Sequence, residues 1–254
     1  MEDDNFVIRN AMSNFRIKLH KCRVIFFDLE FYVPSEGRNK KGFCYNPWHD
    51  DHRLLGGSFL VANPQKDFVH NSKIDSGKVE SLWLWDHESE KELLESIYGL
   101  IRSSYDVVYS AHQGKVSPVL CGIGISSSDV PILFELFKKH SLISNAEAFY
   151  FQNSLRVIDI SQLSIGVFNN ANRFMYPKTK KSILQKYLPE RKFDDGKSVW
   201  DLYDSNNRLA IEDRVVDEVL CTYECYIKIL EDFSNFKAME KNKKRSDKLT
   251  LAMQ

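Results

Sequence analysis

The sequence predicts an α/β protein with a mixed central sheet and helices on both of its faces, and three observations lead there. Short runs rich in β-branched and aromatic residues (VIFFDLEFYV, GGSFLVAN, PVLCGIGI) alternate along the chain with longer segments of helical apolar spacing. Clusters of Gly, Asn, Pro and Ser separate the two kinds of segment. Such alternation is how a sheet acquires helices to cover it.

The first run, Val24 to Val33, leads four apolar residues into two carboxylates and further aromatics, and reads as a central strand. Gly56 to Asn63 is a second strand. An Asn-Pro turn and the short run Asp67 to His70 extend it into a meander, with Pro34 to Arg53 as the loop before it. From Glu88 to Arg102, Leu93, Leu94, Ile97, Tyr98 and Ile101 recur at helical spacing, with Asp86 or Ser89 as the cap. Asp106 to Ala111 and Pro118 to Ile125 read as two buried strands about a Gly-containing turn. A helix then opens near Ser127 with Pro131 in its first turn. Leu155 to Leu163 is a further strand, Thr179 to Leu188 a short helix and Glu212 to Phe233 a long one.

With 254 residues, 43% of them hydrophobic, the chain is long enough to bury a substantial core and too apolar to remain unfolded. Lys and Arg balance Asp and Glu at 35 each, so any affinity for nucleic acid must be local. The first residues carry no secretory pattern and no window is apolar enough for a spanning helix, so the expectation is a cytoplasmic protein without a membrane. Five scattered cysteines without a CxxC pair read as reduced thiols, and Cys44, His49 and His52 have a spacing that matches no standard zinc site. Three regions follow: an arm over 1–20, a folded domain over 21–233 and a Lys-rich tail over 234–254 expected to fray.

Asp28 and Glu30 are the chemically informative pair. Two residues apart on a strand, they project from the same face, beside apolar neighbours. Carboxylates crowded in that way require water, basic partners or a divalent cation. A strand bearing D-x-E, joined by later acids from helices, is what a two-metal phosphoryl-transfer site needs, and hard oxygen ligands suit Mg2+ or Mn2+.

These residues resemble a known family, the DEDD 3'-5' exonucleases of the ribonuclease H-like fold. VIFFDLEF is similar to the first family motif, with Asp28 and Glu30 as its acids. GIGISSSDVPIL is similar to the second, with Asp129 as its acid. IEDRVVDEVLCTYECYIKIL is similar to the third, with Asp217 on a helix whose apolar stripe reads Val216, Leu220, Tyr223, Ile227 and Leu230. Segments around Asp159, Lys180 and Ser198 fall between them in the family order, so the likeness spans roughly Cys22 to Phe233. The resemblance implies a ribonuclease H-like fold and two Mg2+ or Mn2+ ions held by Asp28, Glu30, Asp129 and Asp217. It further implies 3'-5' exonuclease action on single-stranded RNA or DNA ends, with Phe31 or Tyr32 stacking on a base. Asp213 or Glu218 replaces Asp217 if the helix register differs.

The family's third motif carries a His five residues, or a Tyr four residues, before its Asp to activate water. Those positions hold Glu212 and Asp213 here, which makes them candidate bases, with His112 as an alternative. A chain without an effective base is instead a nuclease-fold module that binds nucleic acid or a protein partner. Lys180 and Lys181 read either as phosphate contacts or as solvated residues at a helix start.

Overall fold

The computed structural model describes residues 16–38, 44–68, 74–167, 176–191 and 198–252. Among these residues five strands form one mixed sheet: β1 (Val24–Tyr32), β2 (Arg53–Ala62), β3 (Val79–Trp83), β4 (Val119–Gly122) and β5 (Arg156–Asp159), in the order β3-β2-β1-β4-β5. The first three are antiparallel neighbours, and β4 and β5 run parallel to β1. The helices are α1 (Pro64–Asp67), α2 (Glu90–His112), α3 (Asp129–Lys139), α4 (Asn145–Ser154), α5 (Ile160–Leu163), α6 (Lys180–Tyr187), α7 (Ser198–Asp204) and α8 (Arg208–Ala252).

Alternation along β1 sorts the core into two layers. Ile25, Phe27, Leu29 and Phe31 pack with residues of α2, α3 and α4, and Phe27 stacks on Phe59 at 5.8 Å. Val24 and Phe26 face the other way, against Ile183, Leu184 and Tyr187 of α6 and Val219, Tyr223, Tyr226 and Ile229 of α8. Helices therefore cover both faces, and the face shared by Val24, Phe26, Asp28 and Glu30 is the one that α6 and α8 approach.

Three expectations change. Asp106 to Ala111 forms the last turns of α2 rather than a strand, because the buried positions Ile97, Ile101, Ser104, Val108 and His112 keep helical spacing through two polar residues. An ion pair between Arg102 and Asp106, one turn apart at 3.2 Å, lies on its outer side. Gln113 closes this helix in the left-handed region, and Ser89 accepts the Glu92 N–H at its start. The short run after the Asn-Pro turn starts as α1, capped by Asn63, and its end at His70 lies outside the described residues. The third strand of the meander is Val79–Trp83 instead. The expected strand over Leu155 to Leu163 divides at Asp159, whose side chain caps α5.

The long helix begins at Arg208, and its backbone continues through the Lys-rich segment to Ala252. The arm over 1–20 lies mostly outside the described residues. All five cysteines are free thiols, and no helix among the described residues is long and apolar enough to cross a membrane.

Candidate metal centre

Asp28 and Glu30 stand on β1 opposite Ser58 and Gly56 of β2, so the carboxylates have small neighbours across the strand pair. Gly56 is obligatory. At φ +132°, a Cβ there would lie 2.1 Å from the Leu82 carbonyl oxygen. The register of β1 on β2 shifts just beyond this point, between Glu30 and Phe31.

From α8, Glu218 reaches the same place. Asp28, Glu30 and Glu218 each offer a carboxylate oxygen within 4.8 Å of the others, the only such group of three or more potential ligands among the described residues. Asp129, 6% exposed at the first turn of α3, borders the trio. Its Oδ1 accepts the Leu29 N–H at 3.0 Å, Ser128 donates to its Oδ2, and its charge acts on Glu30. The loop that delivers Asp129 passes through Gly124, at φ +84°, and is tied to β5 by Asp159. Asp159 Oδ1 accepts the Gly124 N–H at 2.8 Å and its Oδ2 the Ser126 hydroxyl at 2.6 Å.

Two cations enter the cluster. Lys180, the first residue of α6, places Nζ 2.5 Å from Glu218 Oε2 and 3.4 Å from Asp28 Oδ2. Arg214 donates from Nε to Glu218 Oε1 at 3.1 Å, and from Nη1 to Ser198 Oγ at 2.5 Å. Lys181 is exposed.

The charges are shared unequally. Burial lifts Asp28 well above the usual carboxylate range. It also lifts Glu30 to about 8, reinforced by repulsion from Glu218 and opposed by Arg214. Burial opposes ionisation of Glu218 as well, but Lys180, a hydrogen bond from Asp28 and Arg214 outweigh it and hold Glu218 at about 2. Burial likewise works against the Lys180 ammonium, and Asp28 and Glu218 more than compensate and raise its pKa. Glu218 thus carries the fixed negative charge, while Glu30, raised to about 8, holds a proton that a metal ion would displace.

Asp217 does not join the cluster. Its carboxylate is 42% exposed and pairs with Arg191 at 2.8 Å on the outer side of α8. The third acid is its neighbour Glu218, only 2% exposed. Residues 217 and 218 lie about 100° apart around a helix axis, so one position decides which acid faces the sheet. A signal for this exists in the sequence: Ile211, Val215, Glu218, Thr222, Cys225 and Ile229 form a stripe at alternating steps of four and three, and all are buried. Glu218 is the acid inside that stripe, one position away from the stripe read through Val216 and Leu220.

The candidate bases also lie elsewhere. Glu212 Oε1 accepts from Trp85 Nε1 at 2.8 Å, and Asp213 is exposed. Counted from Glu218, the position four residues earlier is Arg214, a group that cannot accept a proton, and the position five residues earlier is the exposed Asp213. His112 is buried at the end of α2, with Nε2 accepting the Lys18 N–H at 3.1 Å and Nδ1 against the Val108 carbonyl. Phe31, 7% exposed, packs on Tyr45 inside the other core layer, which removes its ring from base stacking. Tyr32 is half-buried against Tyr203, and its hydroxyl donates to Asp204 at 2.8 Å.

Carboxylate oxygens gathered this closely suit a hard divalent cation. Fold and site together define an α/β protein with a mixed five-stranded sheet and a buried acidic cluster able to hold a metal ion. No family model matches the chain, and no curated protein matches it.

Proposed function

We propose that this chain is a ribonuclease H-like, metal-dependent nuclease of DEDD type, acting in the cytoplasm on single-stranded RNA or DNA 3' ends. The observation that carries this reading is the convergence of Asp28 and Glu30 from β1 with Glu218 from α8, bordered by Asp129 from α3. A sheet whose three antiparallel strands continue into two parallel ones, with helices on both faces, supports the fold assignment.

Asp28, Glu30 and Glu218 would hold Mg2+ or Mn2+, which when bound supplies an activated water and charge neutralisation at the scissile phosphate. Asp129 braces β1 through the Leu29 N–H and keeps negative potential beside Glu30. Arg214 fixes one oxygen of Glu218 and leaves the other directed at the cluster. The Lys180 ammonium is placed to donate to a phosphate oxygen once it leaves Glu218.

Arg214 favours a second reading. With a guanidinium four residues before Glu218 and the exposed Asp213 five residues before it, neither usual place for a water-activating group holds a His or Tyr, which suits a module that binds nucleic acid or a protein partner without efficient cleavage. Incubation with 3'-labelled single-stranded RNA and DNA, with Mn2+ or EDTA, alongside Asp28→Ala, separates the two. Metal-dependent shortening lost in the variant supports the nuclease, and binding without shortening supports the silent module. Finding neither shortening nor binding would remove nucleic acid from the account.

A further inference from the structure

We infer that Lys180 is a built-in substitute for one of two cations, so that the cluster takes a single divalent ion rather than a pair. This rests on the metal-dependent reading above and concerns how many ions that site holds.

Three observations lead to it. First, the Lys180 ammonium lies among the carboxylates, 2.5 Å from Glu218 and 3.4 Å from Asp28, where it bridges a strand acid and a helix acid as a metal ion would. Second, helix energetics do not explain its position. Lys180 is the first residue of α6, capped by Thr179, and a cation in a first helical turn is disfavoured by the helix dipole. The attraction that holds the side chain inward must come from the carboxylates. Third, the formal charges nearly close without a second ion. Asp28, Glu30, Asp129 and Glu218 face Lys180 and Arg214, which leaves an excess of two negative charges, the charge of one divalent ion.

Two ions about 3.5 to 4 Å apart would need the Glu218 Oε2 and Asp28 Oδ2 oxygens that Lys180 already engages. A cation on a flexible stem can surrender Glu218 Oε2 to one incoming ion and remain nearby, whereas the guanidinium keeps Oε1. Seating a second ion would require the Lys180 ammonium to leave the cluster altogether.

The test is the number of Mn2+ ions bound by the full chain, read by calorimetric titration and by electron paramagnetic resonance, with Lys180→Met and Lys180→Gln beside the wild type. The expected result is one ion per wild-type chain, with the signal of an isolated ion. A second ion should appear in both variants with an exchange-coupled signal, and the first should bind about tenfold tighter or more once the competing charge is gone. Two coupled ions in the wild type, or one ion in wild type and variants alike, would overturn the inference and leave the metal-dependent reading intact. No Mn2+ bound by the folded wild type would overturn that reading itself. Because two ions in the wild type overturn the inference without reference to any variant, a variant that fails to fold does not shelter the proposal.

Discussion

Arg214 stands one helical turn before Glu218 and donates to its carboxylate at 3.1 Å, within a helix face that otherwise packs against the sheet. The bond keeps a nearly inaccessible carboxylate ionised, since removing one partner of a buried charged pair strands the other. Lys180 remains as a second partner to Glu218 in an Arg214→Gln variant. The substitution should therefore cost about 2–3 kcal/mol, at or below the low end of the range for breaking such a pair. Urea denaturation of the metal-free chain measures it, and an unchanged midpoint would show that Arg214 is not needed to hold Glu218.

Neighbouring acids on α8 should behave oppositely. Glu218→Gln removes one carboxylate from the trio and should weaken Mn2+ binding by about a hundredfold. Asp217→Asn breaks only an exposed ion pair with Arg191, and should leave Mn2+ affinity unchanged while costing about 1 kcal/mol or less. Equal losses of affinity in the two variants would place the metal elsewhere.

This contrast marks how far the sequence reaches. The pairing of Asp28 with Glu30 was legible because a strand has a period of two, and any register that buries Val24 and Phe26 puts both acids on the same side. Asp129 was legible from its place at a helix start. On a long helix with apolar residues at Val215, Val216, Val219 and Leu220, two adjacent stripes compete, and tertiary packing chooses between them. The end of α2 failed for a related reason, since DVVYSA reads as a strand by composition and is held helical only by the continuing contacts of Ser104, Val108 and His112. Lys180 had no local signature, because its partners are contributed by β1 and α8.

The pH response should distinguish the metal-free from the loaded chain. Glu30 is raised from 4.5 to about 8, so the folded chain retains a proton that the unfolded chain releases. Its contribution is present in full below 4.5 and is lost as the pH rises through about 8. Glu218, lowered to about 2, contributes above 4.5 and loses that contribution as the pH falls through about 2. Urea midpoints of the metal-free wild type should therefore decline between about pH 5 and pH 8, and the decline should be smaller in Glu30→Gln. Mn2+ requires the deprotonated carboxylates, so its affinity should rise over the same interval. A flat midpoint with pH-independent Mn2+ binding would contradict this assignment.

Asp159 should govern the site from a distance. It is 5% exposed and accepts from the Gly124 and Ser126 N–H groups, the Ser126 hydroxyl, and the N–H and hydroxyl of Ser161. Burial opposes its charge, but the hydrogen bonds from Ser126, Ser161 and Gly124 outweigh that and lower its pKa below 3.8. Asp159 therefore stabilises the fold above 3.8, and that stability is lost as the pH falls through its lower folded value. Asp159→Asn presents an amide N–H2 where only acceptors are wanted, leaving a buried donor facing donors, at a cost of about 2–3 kcal/mol. The strand end and helix start it ties together are the segment that carries Asp129 to the Leu29 N–H, so the loss should not stay local. Urea unfolding should show the lower stability, and titration with Mn2+ should show about tenfold weaker binding although Asp159 is not a ligand. If stability falls while Mn2+ affinity stays at the wild-type value, Asp129 is held in place by its own contacts to Leu29 and Ser128, and the loop anchored on Asp159 is not what positions the fourth acid.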